Sequence, residues 1–392
     1  MIYYLAQHNE SLKILTGVTP RVILAAATAF VIMLLIMPPL IRWLKRMKFG
    51  ESGAKGQGAE VVDAMREGKK GTPTMGGIGI VIAITIATLL WADLGEARPW
   101  VLLGALVGFA SLGYLDDRTK IFKGSKGLST WLKLTLQVAL AVGCGLAIWA
   151  IGTHDADTLL KGASPAGMPE GFYKKDLGNA EYIVRLAIHQ LAFPFVSVIH
   201  AIDLNFWIVP WAAFVATSCA NGVNFTDGMD GLASGTVFIA AIAFVIIAYL
   251  VSRVDSADYL QLLYVSGGQE VAVVCAAMAG ACLGFLWFNC APAEVFMGDT
   301  GSQALGGTLG LAALMTKQEF LLLLVGAVFV VEAASVVIQV ISFRCFGRRV
   351  FLCTPIHHHF QYLGWSESKI VLRFWIVAAI CALVALATLK LR

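Results

Sequence analysis

Ten apolar runs, each about long enough to cross a bilayer, leave this chain few folds to choose from. They cover residues 22–44, 75–92, 99–115, 130–151, 206–222, 231–251, 270–289, 301–316, 319–342 and 369–390. A span must satisfy its own backbone hydrogen bonds, so runs of this length form helices. Only 14% of the residues are charged, against about 25% in soluble proteins, and 58% are hydrophobic. The expected fold is all-α: a polytopic integral membrane protein with about ten transmembrane helices, forming one transmembrane domain over residues 1–392. The first run is long for a signal sequence and ends in Arg42, Lys45 and Arg46, so it reads as a retained span. Gly306, Gly307 and Gly310 in the eighth run, and Gly104 and Gly108 in the third, are expected to allow close helix packing.

Lysine and arginine set the orientation. They crowd the link 45–73 (Lys45, Arg46, Lys48, Lys55, Arg66, Lys69, Lys70), the link after the third span (Arg118, Lys120, Lys123, Lys126) and the link 343–368 (Arg344, Arg348, Arg349). The links after spans two, six and eight hold only Arg98, Arg253 and Lys317. The odd-numbered links therefore face the cytoplasm, and both termini lie outside. The long link 152–205 is external. Its apolar piece, Tyr182–Ile199, is interrupted by Arg185, His189 and Pro194, and reads as an interfacial segment or hairpin. If that piece spanned, every later motif would change sides.

With this topology five polar motifs fall at cytoplasmic ends, which points to a cleft on the cytoplasmic face. They are KKGTPTMGG (Lys69–Gly77), LDDRTKIFKGSKG (Leu115–Gly127), NGVNFTDGMDG (Asn221–Gly231), FMGDTGS (Phe296–Ser302) and TPIHHHFQ (Thr354–Gln361). The net charge of +4 is too small to argue for nucleic acid, and the eight cysteines form no C-x-x-C pair.

Each motif has a chemical and a structural reading. Asp116 and Asp117 point about 100° apart on a helix, so one can face a site while the other orients a lysine; a solvated helix end is the alternative. Lys133 lies just inside the fourth span, where an ammonium must snorkel or pair. Lys120, Lys123 and Lys126 serve as a topology signal or as phosphate contacts. Asn221, Asn224 and Asp227 recur every three residues, as does Asp230, and suit a hard cation, a ribose or a base edge; a capped helix end would look similar.

In FMGDTGS, Gly298 and Gly301 permit close backbone approach. Ser302 and the first amides of the following helix can face an anion. Asp299 is then a magnesium ligand beside a diphosphate, since magnesium takes only one or two carboxylates and leaves the rest to water and phosphate. A helix N-cap is the alternative, compatible with the first. His357, His358 and His359 are adjacent, which suits hydrogen bonding to phosphate or sugar better than a zinc site. Glu332, within the ninth span, is a functional acid or half of a buried pair.

Together KKGTPTMGG, LDD, NFTDGMDGLA (Asn224–Ala233), VFMGDTGSQALGG (Val295–Gly307), PIHHHFQYLGW (Pro355–Trp365) and RFW (Arg373–Trp375) resemble the phospho-N-acetylmuramoyl-pentapeptide-transferase family, in the polyprenyl-phosphate hexose-1-phosphate transferase superfamily. The likeness covers nearly the whole chain. The histidine triplet and the KGTPTMGG block look like the muramoyl branch rather than the N-acetylglucosamine branch. The 152–205 link looks longer than the family norm.

The resemblance implies ten spans, a homodimer and the cytoplasmic membrane of a bacterium. It also implies the reaction of UDP-N-acetylmuramoyl-pentapeptide with undecaprenyl phosphate to give lipid I and UMP, with Mg2+. By the same likeness Asp116, Asp117 and Asp299 are essential acids, with Asp299 on the metal. Lys70, Thr74, Lys126, Lys133, Asn221, Asn224, Asp227, Phe296, His357 and His358 line the nucleotide-sugar site, where Phe296 suits stacking on uracil.

In such a reaction the acceptor phosphate is already mostly dianionic at pH 7, its second pKa being about 6. Direct attack on the sugar-proximal phosphorus is therefore expected over a two-step route in which an aspartate attacks first to make an acyl-phosphate, with Asp116 positioning or deprotonating the lipid phosphate and Asp117 organising a lysine. A related N-acetylglucosamine-1-phosphate transferase is the nearest alternative. A secondary transporter is remote: its polar groups would sit at mid-membrane in repeated halves, and no repeat is visible.

Overall fold

The computed structural model describes residues 1–47, 71–123, 127–159, 172–177 and 180–391. A short α1 (Ile2–Gln7) and a 3-10 turn (Glu10–Thr16) lead into α2 (Val18–Arg46). The bundle continues with α3 (Gly77–Trp91), α4 (Ala97–Lys123), α5 (Thr130–Leu159), α6 (Ile208–Thr226), α7 (Leu232–Val251), the short α8 (Val254–Leu260) and α9 (Gly268–Asn289). It closes with α10 (Gly298–Met315), α11 (Glu319–Val325), α12 (Ala327–Phe346), α13 (Ile356–Tyr362) and α14 (Glu367–Thr388). Each of the ten apolar runs is helical, so the all-α membrane fold read from the sequence is the fold of the chain. The ninth run is broken at Gly326 into α11 and α12.

Among the described residues, eight helices are long and apolar enough to cross a membrane. Two of the ten runs fall outside that set, for different reasons. Helix α3 is only 15 residues long. Helix α10 is long enough at 18 residues but too polar, with Asp299, Thr300, Ser302 and Gln303 in its first turns; every residue from Thr300 to Met315 is buried inside the protein. A helix surrounded by other helices has no lipid to face and need not be greasy. Its small residues serve close packing instead: a Cβ on Gly306 would lie 2.5 Å from the Cys219 carbonyl of α6. Gly104 does not play that part, because nothing lies within 4 Å of its would-be Cβ, and Gly108 meets only the Leu140 side chain.

Helix α10 packs chiefly on α4 and α6, with α5 behind α6; α9 packs on α2 and α7, and α14 on α7. At one end of the bundle Arg21 of α2 and Glu270 of α9 form a buried ion pair at 2.8 Å. Glu270 also accepts from the Asp93 amide at 2.7 Å. Such a pair holds register because removing either partner leaves a charge buried alone.

In the link 152–205 the apolar piece from Tyr182 onward is not a helix. Strand β1 (Phe172–Leu177) pairs antiparallel with β2 (Ala180–Arg185), and β3 (Gln190–Leu191) with β4 (Ile202–Asp203). Arg185 donates to the carbonyls of Val198 and Ile199. A His189 ring nitrogen lies 2.9 Å from the Trp149 carbonyl of α5. These contacts fold the link back onto the helix ends.

Candidate active site

Five segments meet at the opposite end of the bundle from the Arg21–Glu270 pair. The turn before α3 joins the segment before α10 through backbone hydrogen bonds: Phe296 N to Pro73 O at 2.8 Å, Gly76 N to Phe296 O at 2.8 Å and Gly77 N to Met297 O at 3.0 Å. This pairing brings the half-buried Thr74 and Phe296 to the start of α10. There Gly298 has φ +73°, and a Cβ on it would lie 2.7 Å from Asp117 Oδ2 and 2.9 Å from Thr74 Oγ1. Only glycine combines that backbone with that approach. Gly113 of α4 is as tight, since its Cβ would meet the Asp299 carbonyl oxygen at 2.2 Å.

The two aspartates at the end of α4 take separate roles. Asp117 was expected to organise a lysine, and Lys120 Nζ lies 4.0 Å from its Oδ1; its shorter contacts are to α10. Its carboxylate also caps α10 from across the interface. Oδ1 accepts from Asp299 N at 3.2 Å; Oδ2 accepts from Thr300 N at 3.0 Å and from Thr300 Oγ1 at 2.8 Å. A charged acceptor on the first free amides of a helix satisfies them and complements the helix dipole.

Asp116 faces the site. Its Oδ1 accepts from Leu128 N at 2.7 Å, and its Oδ2 lies 2.9 Å from Lys120 Nζ and 3.2 Å from Lys133 Nζ. Asp299 meets the same two ammoniums, Lys120 at 3.1 Å and Lys133 at 2.5 Å. Two carboxylates and two ammoniums thus form a closed square with no net charge. Lys133 resolves the cost of an ammonium inside a span by pairing rather than by snorkelling alone.

The rest of the shell is amide. Asn224 Nδ2 donates to Asp299 Oδ1 at 3.0 Å and to Ser302 Oγ at 2.8 Å. Gln303 Nε2 donates to Asp299 Oδ2 at 3.1 Å, and Gln303 Oε1 accepts from Gln137 Nε2 at 2.9 Å. Asn221 Nδ2 donates to Gln137 Oε1 at 2.9 Å. So the Asn221, Asn224 stripe of α6 faces the acids. Asp227 sits half-buried at the helix C-cap. Asp230, the next in the series, serves structure: its Oδ2 accepts from Ala293 N at 3.1 Å.

The histidines are more enclosed than their motif suggests. His357 is 0% exposed and His358 9%. His357 Nδ1 lies 3.1 Å from Glu332 Oε1, and His358 Nδ1 lies 2.7 Å from Gln361 Oε1. His359 Nδ1 accepts from Leu352 N at 3.2 Å. Lys70 and Lys126 lie outside the described residues.

Two residues of this site, Gln137 and Gln303, are absent from the candidates drawn from the sequence, and Lys120, a topology signal or phosphate contact there, is not marked as a partner of the acids. A helical spacing would have found each. Lys120 is four residues after Asp116, Gln137 four after Lys133 and Gln303 four after Asp299.

Residues 99–317 match the profile of glycosyl transferase family 4. Over the full chain the sequence is 42% identical to the phospho-N-acetylmuramoyl-pentapeptide-transferase of Desulfosudis oleivorans, covering 100% of this chain and 99% of the relative. It is 41% identical to the one of Thermodesulfovibrio yellowstonii, with the same coverage. It is 40% identical to the one of Solidesulfovibrio magneticus, covering both in full.

Proposed function

The chain belongs to glycosyl transferase family 4, among the phospho-N-acetylmuramoyl-pentapeptide-transferases, and from that premise we propose that it transfers phospho-N-acetylmuramoyl-pentapeptide from UDP to undecaprenyl phosphate, giving lipid I and UMP. It does so as a homodimer in a bacterial cytoplasmic membrane, with the site opening to the cytoplasm. The observation that carries the reading is the square of Asp116, Lys120, Lys133 and Asp299 where five segments converge.

The difficulty in joining a phosphate to a diphosphate is repulsion between anions, not a lack of nucleophilicity. Two ammoniums already gathered at one point address it. Lys120 and Lys133 leave the carboxylates for the incoming phosphates, and each exchange trades one charge-assisted contact for another. Asn221, Asn224 and Asp227, with Thr74 and Phe296 across the cleft, hold the nucleotide-sugar; Phe296 offers a ring face to uracil.

Asp117 is not the nucleophile, because both its oxygens are occupied by α10. Asp116, held by the Leu128 amide, positions the acceptor through the lysines it gathers rather than removing its proton. The lipid phosphate therefore attacks directly: its oxygen bonds to the sugar-proximal phosphorus as the bond to the UMP oxygen breaks.

The donor set suits Mg2+, a hard cation that binds one or two carboxylates and keeps several waters. Asp299 would hold it, with Asp116 facing the same point, and Asn224 and Gln303 orient Asp299 from behind. When bound, the metal neutralises charge developing on the diphosphate.

The test is substrate choice. Purified protein receives undecaprenyl phosphate, Mg2+ and either UDP-N-acetylmuramoyl-pentapeptide or UDP-N-acetylglucosamine, and UMP is followed. UMP from the muramoyl substrate alone, lost on chelation and in Asp299→Asn, is the expected result. UMP only from the N-acetylglucosamine substrate moves the chain to the sister reaction, and none from either refutes a transferase. Mass photometry in nanodiscs tests the dimer.

A further inference from the structure

Among the described residues Glu332 and His357 form the most enclosed titratable contact near the site, and the transfer step itself does not use it. Glu332 lies in the second turn of α12 and His357 at the second position of α13. Neither side chain is more than 1% exposed, and Nδ1 stands 3.1 Å from Oε1. The approach is close but not aligned as a hydrogen bond, so both carboxylate oxygens and both ring nitrogens are without a hydrogen-bond partner. A carboxyl group buried in a membrane protein needs a polar neighbour, and the His357 ring is the one placed beside it.

The pair has a second contact. The far edge of the His357 ring presses on the turn that ends α6: a Cβ on Gly228 would lie 2.2 Å from Nε2 and 2.7 Å from Cε1. Gly228 follows Asp227 and stands four residues from Asn224, whose amide holds Asp299. Two turns along the same face of α12, Gln339 fixes the loop that leads to α13. Its Oε1 accepts from Val350 N and Phe351 N at 3.0 Å each, and its Nε2 donates to Phe351 O at 3.1 Å. Helix α12 also packs directly on α6. The imidazole is therefore wedged between a membrane helix and a binding turn, held at both edges.

We infer that Glu332 is a positioning residue for nucleotide-sugar binding: by holding the His357 ring against Gly228 it sets the Asn224–Asp227 end of α6, so His357 acts through that turn and not by touching the ligand. This rests on the transferase reading above. Loss of the pair frees the turn, which weakens binding of the donor substrate and leaves the lysine–aspartate square in place.

The experiment measures KM for UDP-N-acetylmuramoyl-pentapeptide and kcat for Glu332→Gln, His357→Asn and the double variant, together with calorimetric binding of that nucleotide-sugar without lipid acceptor. The expected result is a KM and Kd raised about tenfold in each single variant, kcat of Glu332→Gln within about twofold of the parent, and a double variant no worse than the worse single, as for two residues acting through one contact. Glu332→Asp, which keeps the carboxyl group, recovers part of the affinity.

If Glu332→Gln does not fold, Gly228→Ala reports the same device from its other edge, its methyl displacing the ring and raising KM. Multiplying effects in the double variant, or an unchanged KM in the folded variants, overturns the inference while an active parent leaves the transferase reading standing. A parent that neither binds the nucleotide-sugar nor releases UMP refutes that reading instead.

Discussion

Asp117→Asn separates a structural acid from a chemical one. In the parent the Asp117 carboxylate, 5% exposed, accepts three hydrogen bonds from the start of α10, two from backbone amides and one from a hydroxyl. The amide variant keeps one acceptor oxygen and turns an NH2 toward the rest. The Thr300 hydroxyl can rotate to accept from that NH2, but the Thr300 N–H cannot. A buried donor left unpaired costs about 1–3 kcal/mol. Loss of a negative charge at the helix N-terminus adds about 0.3–1 kcal/mol, or up to about 2 in a buried setting.

The variant should thus be less stable by about 2–4 kcal/mol, which with about 2.1 cal/mol/K of unfolding entropy per residue over 392 residues corresponds to a fall of roughly 2–5 °C in melting temperature. Intrinsic fluorescence during a temperature ramp, at one detergent concentration and one scan rate for both proteins, reads it directly. UMP release should fall as well, because the cap fixes where Asp299 begins α10. Thr300→Val, which removes only the hydroxyl, should cost about 1 kcal/mol and keep most activity. An Asp117→Asn protein that melts within about 1 °C of the parent yet releases no UMP would refute the cap, and would return Asp117 to the chemistry.

Asp116→Asn should lower the rate of UMP release by the same factor between about pH 6 and pH 9, because Asp116 positions the acceptor; a loss that deepens at low pH, where the lipid phosphate binds its second proton near pH 6, would make it a base. Lys133→Met should cut kcat at least about a hundredfold, since its ammonium reaches both carboxylates, and arginine should not restore it because a planar guanidinium cannot replace a point charge there; near-parental turnover in Lys133→Met would remove the ammonium from the mechanism. Gly298→Ala adds a methyl 2.7 Å from Asp117 Oδ2 at φ +73°, so it should lose at least about tenfold in kcat with helix content by circular dichroism unchanged; full activity would show that the tight start of α10 is not needed to place Asp299.

The sequence alone determined the all-α membrane fold, because lipid solvates neither charge nor free backbone and the consequences are written in local composition. It also marked most of the residues that meet at the site, because a carboxylate or an amide beside a span is costly without a purpose. It pointed to helical neighbours less well: Lys120, Gln137 and Gln303 sit four residues from marked positions, and the spacing was there to read.

Tertiary structure alone decided how the polar groups pair. Asp116 and Asp117 are adjacent and chemically identical, yet one faces two lysines and the other caps α10, since a rotation of about 100° between neighbours sends them to different helices. Glu332 and His357 are separated by a helix end, a loop and a turn, and no local pattern predicts their contact. Helix α10 is the clearest case. Its Gly- and Ala-rich sequence falls short of a lipid-facing span, and it has its place because other helices surround it. Burial by protein depends on what packs around a segment, which the segment's own residues do not state.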